Sequence, residues 1–212
     1  MKLIIFDLGQ VLIHFDIMIA IDKIACYSPL DRIIIRNKVF GRPLGIDLEY
    51  GHITPNEFYQ RLKKELLIND PAFPDFNEFL KIFNDIFWPN TELISLLPQL
   101  AQQYTLAVLS NTNELHEAYV KKSFNFWKYI SFETMSFKVG LRKPDVKIFN
   151  HILEQAHTAA SDALMIDDKQ ANIIGAHKAG LDGICFTDNQ SLIRNLIERH
   201  ILPHNHSVQI NR

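Results

Sequence analysis

Apolar and polar positions change their rhythm twice along this chain. Residues 3–6 form an unbroken apolar run, Leu-Ile-Ile-Phe, which ends at Asp7 and is followed by Leu8, Gly9 and Gln10. A run without alternation predicts a strand buried on both faces, as in a parallel sheet. From residue 15 to residue 87 the pattern is helical only, with helices expected over 17–25, 30–40, 54–67 and 77–87. The third of these announces its own start: Thr54 as N-cap, Pro55 at the first position and Glu57 three residues after the cap. Residues 40–45, with Gly41, Arg42 and Gly45, read as an interhelical turn or a specificity loop. From Trp88 onward apolar runs alternate with helical stretches. Strands are expected at 105–109, 129–135, 163–166 and 183–186. Helices are expected at 91–102 (ended or interrupted near Pro98), 145–155, 171–179 and 191–200. The tail from Pro203 is expected to be loose.

Strands alternating with helices predict an α/β fold with a Rossmann-like parallel sheet and right-handed crossovers, a three-layer αβα core. The helical stretch of about seventy residues interrupts that pattern just after the first strand, and a connection so long is not structureless in a compact domain. The expected division is therefore a core of residues 1–14 plus 88–212, and an inserted helical cap over 15–87. The aromatic residues Phe76, Phe79, Phe83, Phe87 and Trp88 follow helical spacing and are expected in the core of that cap.

Composition narrows the function more than the fold. The 212 residues are 47% hydrophobic and 22% charged, with a formal net charge of -2. That balance offers no basic field, so neither nucleic acid nor a membrane surface is an expected partner. No apolar stretch reaches the ~20 residues of a membrane span, and the N-terminus lacks a signal region. Cys26 and Cys185 make no CxxC motif and no disulfide framework. They are expected as small core residues in a reducing, cytoplasmic compartment.

Candidate chemistry gathers at the ends of the expected strands or at helix starts: Asp7, Ser110, Lys143 and the pair Asp167–Asp168. Singly, each has a structural alternative. Ser110 suits a helix N-cap, Lys143 a solvated surface, and Asp7 or Asp167–Asp168 a turn or helix cap. Together they form a coherent reaction centre. Carboxylates at converging strand ends make an oxygen-rich site suited to Mg²⁺. A carboxylate beside the metal can attack phosphorus. A serine hydroxyl and backbone N–H groups can hold phosphoryl oxygens at a helix start. A lysine offers a point charge to the transferring group.

The order FDLGQVL, LSNTN, GLRKPD and MIDDKQAN resembles the four motifs of the haloacid-dehalogenase-like hydrolase superfamily, over residues 1–14 and about 105–186. The wording is most similar to the bacterial glucose-1-phosphate phosphatase type of sugar phosphatase. The resemblance implies that Asp7 is the nucleophile and a metal ligand, with the Gly9 carbonyl as a second ligand. It implies that Ser110 binds the phosphoryl group, helped by the Asn111 N–H, and that Lys143 stabilises that group and orients Asp7. Asp168 is the implied third ligand, with Asp167 direct or through water, and Asn172 braces the motif-four loop.

One position departs from the family. Its phosphatases usually carry a second aspartate two residues after the nucleophile, which protonates the leaving group and then activates water. Here that residue is Gly9. His14 or Asp16 as substitute acid, or a leaving group that needs little protonation, would preserve the reaction. The expected activity is a Mg²⁺-dependent phosphatase acting through an aspartyl-phosphate on a small phosphorylated metabolite, a sugar phosphate by resemblance, as a monomer or weak homodimer. The alternatives are a 2-haloacid dehalogenase-type hydrolase, or a catalytically weak metal- and phosphate-binding protein.

Overall fold

The computed structural model describes residues 1–41 and 43–203. Arg42, in the expected 40–45 turn, and the expected loose tail beyond Pro203, with His204 and His206, lie outside the described residues. Strand β1 (Leu3–Phe6) is buried throughout, and a tight turn leads to the short β2 (Ile13–Phe15). Five helices follow: α1 (Ile17–Ala25), α2 (Arg32–Phe40), α3 (Leu44–Glu49), α4 (Pro55–Glu65) and α5 (Phe76–Asn84). The polar residues that precede them explain where four of them start. Asp16, Asp31, Thr54 and Asp75 each accept a backbone N–H with the side chain, and Thr54–Glu57 close a reciprocal capping box. The chain then forms β3 (Phe87–Pro89), α6 (Thr91–Leu100), β4 (Thr105–Ser110), α7 (Glu114–Ser123) and β5 (Phe132–Met135). It ends through α8 (Ser136–Val139), α9 (Val146–Gln155), β6 (Ala163–Asp167), α10 (Gln170–Lys178), β7 (Asp182–Cys185) and α11 (Asn189–Glu198).

Five strands make one parallel sheet in the order β5-β4-β1-β6-β7, so the first strand lies at its centre. Alternate residues of the central strands feed opposite layers. Ile4, Phe6, Leu106, Val108, Leu164 and Ile166 pack with Leu93, Leu97, Leu192 and Leu196 of α6 and α11. Leu3, Ile5, Ala107, Leu109 and Met165 pack with Ile148, Phe149, Ile152, Ile173 and Ala176 of α9 and α10. This is the expected three-layer α/β architecture. Each such leucine or isoleucine cut to alanine would destabilise the fold by roughly 2–5 kcal/mol. The helices between β2 and β3 bury a cluster of their own, which includes Ile21, Ile35, Leu48, Phe58, Phe79 and Phe83 and also takes in Leu115 of α7.

Several local expectations are corrected. The helix expected to reach residue 87 stops at Asn84, and Phe87–Pro89 instead pairs antiparallel with β2. Phe87 therefore packs on the sheet's own core, and Trp88 is exposed. Residues 44–45, read as the end of a turn, instead open α3. The strand expected over 129–135 starts only at Phe132, because Asn125–Tyr129 form a 3₁₀ turn. The α6 helix runs through Pro98 and ends two residues later. Cys26 is exposed and Cys185 half-buried, so neither is the expected core residue. Among the described residues, no helix is long and apolar enough to cross a membrane.

Candidate active site

The sheet order reverses its direction of progress at β1, with β4 on one side and β6 on the other. Open α/β sheets form their crevice at such a point, outside the carboxyl ends of the strands. Asp7, Ser110 and Asp167 stand at those three ends. The register binds them together: the Asp7 N–H donates to the Ile166 carbonyl at 2.8 Å, which continues the β1–β6 ladder up to the carboxylate. The Leu8 N–H donates to Asp7 Oδ1 at 2.6 Å. Gln10 then takes a left-handed conformation, φ 61°, as the chain turns back toward β2.

Lys143 arrives from the loop before α9 and is buried between the strand ends. Its Nζ lies 2.8 Å from Asp7 Oδ1 and 2.6 Å from Asp167 Oδ2. The backbone behind it is held by Asn111, whose Nδ2 donates to the Lys143 carbonyl at 2.9 Å and whose Oδ1 accepts the Lys143 N–H at 2.8 Å. Asp167 is saturated. Its Oδ1 accepts from the Lys169 N–H and from Asn172 Nδ2, at 2.9 and 2.8 Å, while Oδ2 takes Lys143. Asp168 is the opposite: its Oδ1 is buried and has no hydrogen-bond partner.

Electrostatics follow from three carboxylates around one ammonium. Burial pushes the Asp7 carboxyl up to about 7, against the Lys143 charge, with Asp167 and Asp168 adding to the rise. Burial likewise raises Asp168, opposed by Lys169. Asp167 goes the other way: burial opposes, but Lys143 and the hydrogen bonds from Lys169 and Asn172 hold it below the usual range. Burial pulls Lys143 down, yet Asp7 and Asp167 outweigh it and keep the ammonium charged. The pocket thus has more negative than positive charge. Carboxylate oxygens of Asp7, Asp167 and Asp168 all lie within 4.8 Å of one another. Surplus charge, clustered oxygens and the orphaned Asp168 Oδ1 fit a hard divalent cation.

The sequence-derived residues thus meet at one crevice: Asp7, Lys143, Asp167 and Asp168 in contact range, Gly9 and Ser110 beside them, Asn111 bracing Lys143. The proposed substitute acids do not join them. Asp16 caps α1, accepting the Met18 N–H at 2.8 Å. His14 sits on the β2–β3 hairpin, its ring 6.1 Å from that of Trp88. A side chain at position 9 also lacks room, since a Cβ on Gly9 would stand 2.8 Å from Phe15 Cε1.

Three features escaped sequence reasoning. Ser136 is fully buried; its Oγ accepts the Thr112 N–H at 3.0 Å and lies 2.6 Å from the Glu49 carbonyl, joining α3 to the core. Arg142 Nη2 pairs with Glu49 Oε2 at 2.5 Å, and its guanidinium lies 5.5 Å from the Tyr50 ring. His116 stacks on Phe83 at 4.6 Å, and Phe87 meets it edge-on at 4.9 Å. Burial lowers its pKa to about 3, against a weaker opposing effect of the Phe83 carbonyl. None of these contacts leaves a local sequence signal beyond the presence of the residue.

The family profile described as haloacid dehalogenase-like hydrolase matches residues 48–186. A sesquiterpene phosphatase of Aspergillus oryzae is 27% identical over 193 residues, 89% of this chain and 91% of that protein. A D-ribitol-5-phosphate phosphatase of Bacteroides thetaiotaomicron is 24% identical over 184 residues, 81% of this chain and 85% of that protein. A solved HAD family enzyme from Bacteroides thetaiotaomicron, in complex with magnesium and inorganic phosphate, superposes with a TM-score of 0.78 at 24% identity. It covers 91% of this chain and 98% of its own. That last likeness is one of fold.

Proposed function

The chain belongs to the haloacid dehalogenase-like hydrolases, and we propose that within them it is a Mg²⁺-dependent phosphatase of small phosphorylated metabolites. The observation that carries this reading is the Lys143 ammonium held between Asp7 and Asp167, beside the unpartnered oxygen of Asp168. Asp7 is the nucleophile: its Oδ1 is fixed by the Leu8 N–H and by Lys143, which leaves the other oxygen to attack phosphorus in line. Lys143 offsets the charge on the equatorial oxygens. Asp167 keeps Lys143 charged and aimed, and Asn172 with the Lys169 N–H keeps Asp167 in place. Ser110 and the Asn111 N–H hold the phosphoryl group at the end of β4. Asp7, Asp168 and the Gly9 carbonyl would hold Mg²⁺, with Asp167 direct or through water. When bound, the ion supplies Lewis-acid polarisation of the phosphoryl oxygens. Water then cleaves the aspartyl phosphate on Asp7.

The helices of residues 15–87 act as a cap on a core of residues 1–14 plus 88–212, joined to it through Ser136, Arg142 and Leu115. Such a cover favours a metabolite over a phosphoprotein and excludes water during transfer. A sugar phosphate, expected from the motif wording, has the ribitol-phosphate relative on its side; the sesquiterpene relative points to an apolar alcohol. Gly9 favours a second reading, a metal- and phosphate-binding protein with little turnover. Hydrolysis of p-nitrophenyl phosphate and a sugar-phosphate panel, in Mg²⁺ and in EDTA, separates the two. Metal-dependent phosphate release that Asp7→Asn abolishes supports the phosphatase. Mg²⁺ binding without release of phosphate from any ester supports the second reading.

A further inference from the structure

A cavity of about 90 Å³ opens beside Gly9 and Ser110, where the helical segment meets the sheet. Phe15, Phe40 and Phe87 line it, with Ile13, Ile86 and Val120 between them. Most of the polar groups on its wall are already engaged. Both amide atoms of Asn111 hold the Lys143 backbone, Ser136 bonds the Thr112 backbone, and Glu49 is paired with Arg142. His116 is held as well. Asn113 Oδ1 accepts the His116 backbone N–H, so Asn113 Nδ2 is the group that donates to His116 Nδ1, at 3.1 Å. A neutral imidazole that accepts at Nδ1 carries its proton on Nε2. That Nε2 is sealed from water, and the Phe83 carbonyl is the backbone group that acts on it.

A polyol would fare badly here. With Ser110 assigned to the phosphoryl group, the Thr112 hydroxyl and the Glu49 carboxylate, paired with Arg142, are the polar side chains left on an otherwise mostly apolar wall. Each hydroxyl left unpaired lowers binding by roughly 5- to 100-fold. The leaving oxygen has a second constraint. Position 9 offers no proton, the Phe15 ring stands where an acid would begin, and neither His14 nor Asp16 lines the cavity. An alkoxide departs slowly without an acid, whereas a phenolate, far less basic, departs without one.

Building on the phosphatase reading, we propose that this site takes aryl phosphate monoesters: a single aromatic ring in the Phe15–Phe40–Phe87 cavity, esterified through its phenolic oxygen. Asp7 attacks phosphorus, the bond to the phenolic oxygen breaks, and the phenolate leaves with the electron pair and takes a proton from water. Water then attacks the phosphorus of the aspartyl phosphate formed on Asp7. The bond to Asp7 breaks, and the second proton stays on phosphate. The sum is one ester and one water giving one phenol and one hydrogen phosphate.

The test compares phenyl phosphate, cyclohexyl phosphate and ribose 5-phosphate by kcat/KM on the intact protein with Mg²⁺. Calorimetric binding of phenylphosphonate and hydroxymethylphosphonate runs beside it. Phenyl phosphate is expected to exceed cyclohexyl phosphate, similar in size and apolarity, by about 10²- to 10⁴-fold, the usual contribution of a general acid. Phenylphosphonate is expected to bind about 10- to 100-fold tighter than hydroxymethylphosphonate, the worth of burying one ring. Ribose 5-phosphate turned over as well as phenyl phosphate overturns the aryl assignment and leaves the phosphatase standing. If no ester is hydrolysed, the phosphatase reading fails and binding decides the rest. A preference for phenylphosphonate then sustains the aromatic ligand class, and equal binding removes it.

Discussion

Lys143→Met removes the one buried ammonium from among three carboxylates while keeping most of the side-chain volume. Nζ lies 2.8 Å from Asp7 and 2.6 Å from Asp167. At an effective dielectric constant near 20, each contact is an attraction of about 6 kcal/mol, most of it offset by the desolvation of the ions. Removing one partner of such a pair leaves uncompensated charge and destabilises by about 3–5 kcal/mol. For a domain of this size that is a fall in Tm of roughly 6–20 °C. The assay is thermal unfolding by circular dichroism at neutral pH in EDTA. Mg²⁺ is expected to return part of the loss, since a cation replaces the missing charge. Adding Asp167→Asn to Lys143→Met is expected to restore stability further, because it relieves the repulsion directly. Turnover in the single variant is expected to fall by about 10²- to 10³-fold or more, the usual effect of losing one electrostatic contact to the transition state. A Tm in EDTA within about 2–4 °C of wild type, equivalent to about 1 kcal/mol, would refute the assignment of Lys143 as the counter-charge of this site.

Other consequences are as specific. His116 has a folded-state pKa of about 3, below its ordinary 6.5, so the unfolded chain takes up the proton first. Stability is then complete above pH 6.5 and falls as the pH drops toward 3, by up to about 1.4 kcal/mol per unit; His116→Phe should flatten that dependence in urea titrations at pH 7 and pH 5. Gly9→Asp alone should lower stability, because its Cβ meets Phe15 Cε1 at 2.8 Å. Combined with Phe15→Ala it should raise kcat for cyclohexyl phosphate more than for phenyl phosphate, and equal effects on the two esters count against an acid acting at position 9. Ser136→Ala removes a hydroxyl that accepts from Thr112 and lies against the Glu49 carbonyl. It should destabilise by about 1–3 kcal/mol and speed amide exchange in α3 while the far strand β7 keeps its protection.

Much of the candidate site was readable before any coordinates. Asp7, Ser110 and Asp167 each close an apolar run, and parallel strands deliver their carboxyl ends to one edge of the sheet, so chain position sufficed to group them. Lys143 was grouped with them by its place just before a helix start and by motif wording, since a lysine in a loop carries no periodic signal. The second role of Asn111, clamping the Lys143 backbone across 32 positions, was invisible for the same reason. Asp167 and Asp168 are adjacent and chemically alike in the sequence. Only their surroundings separate them: one oxygen pair saturated by Lys143, Lys169 and Asn172, one oxygen left bare.

Local pattern was enough for the parallel sheet, because unbroken apolar runs such as Leu3–Phe6 are stable only when helices cover both faces. It was enough for the start of α4, because the Thr54–Glu57 capping box acts within three residues of itself. It could not foresee that Phe87–Pro89 leaves the helical register to pair with Ile13–Phe15 across the whole helical segment. Three-residue strands are too short to show a period, and their pairing depends on where the intervening helices pack. That hairpin seats Phe15 over position 9 and brings Phe87 against His116. The shape and apolarity of the cavity beside Asp7 are therefore set by long-range packing, whereas the reacting groups were set by the strand ends.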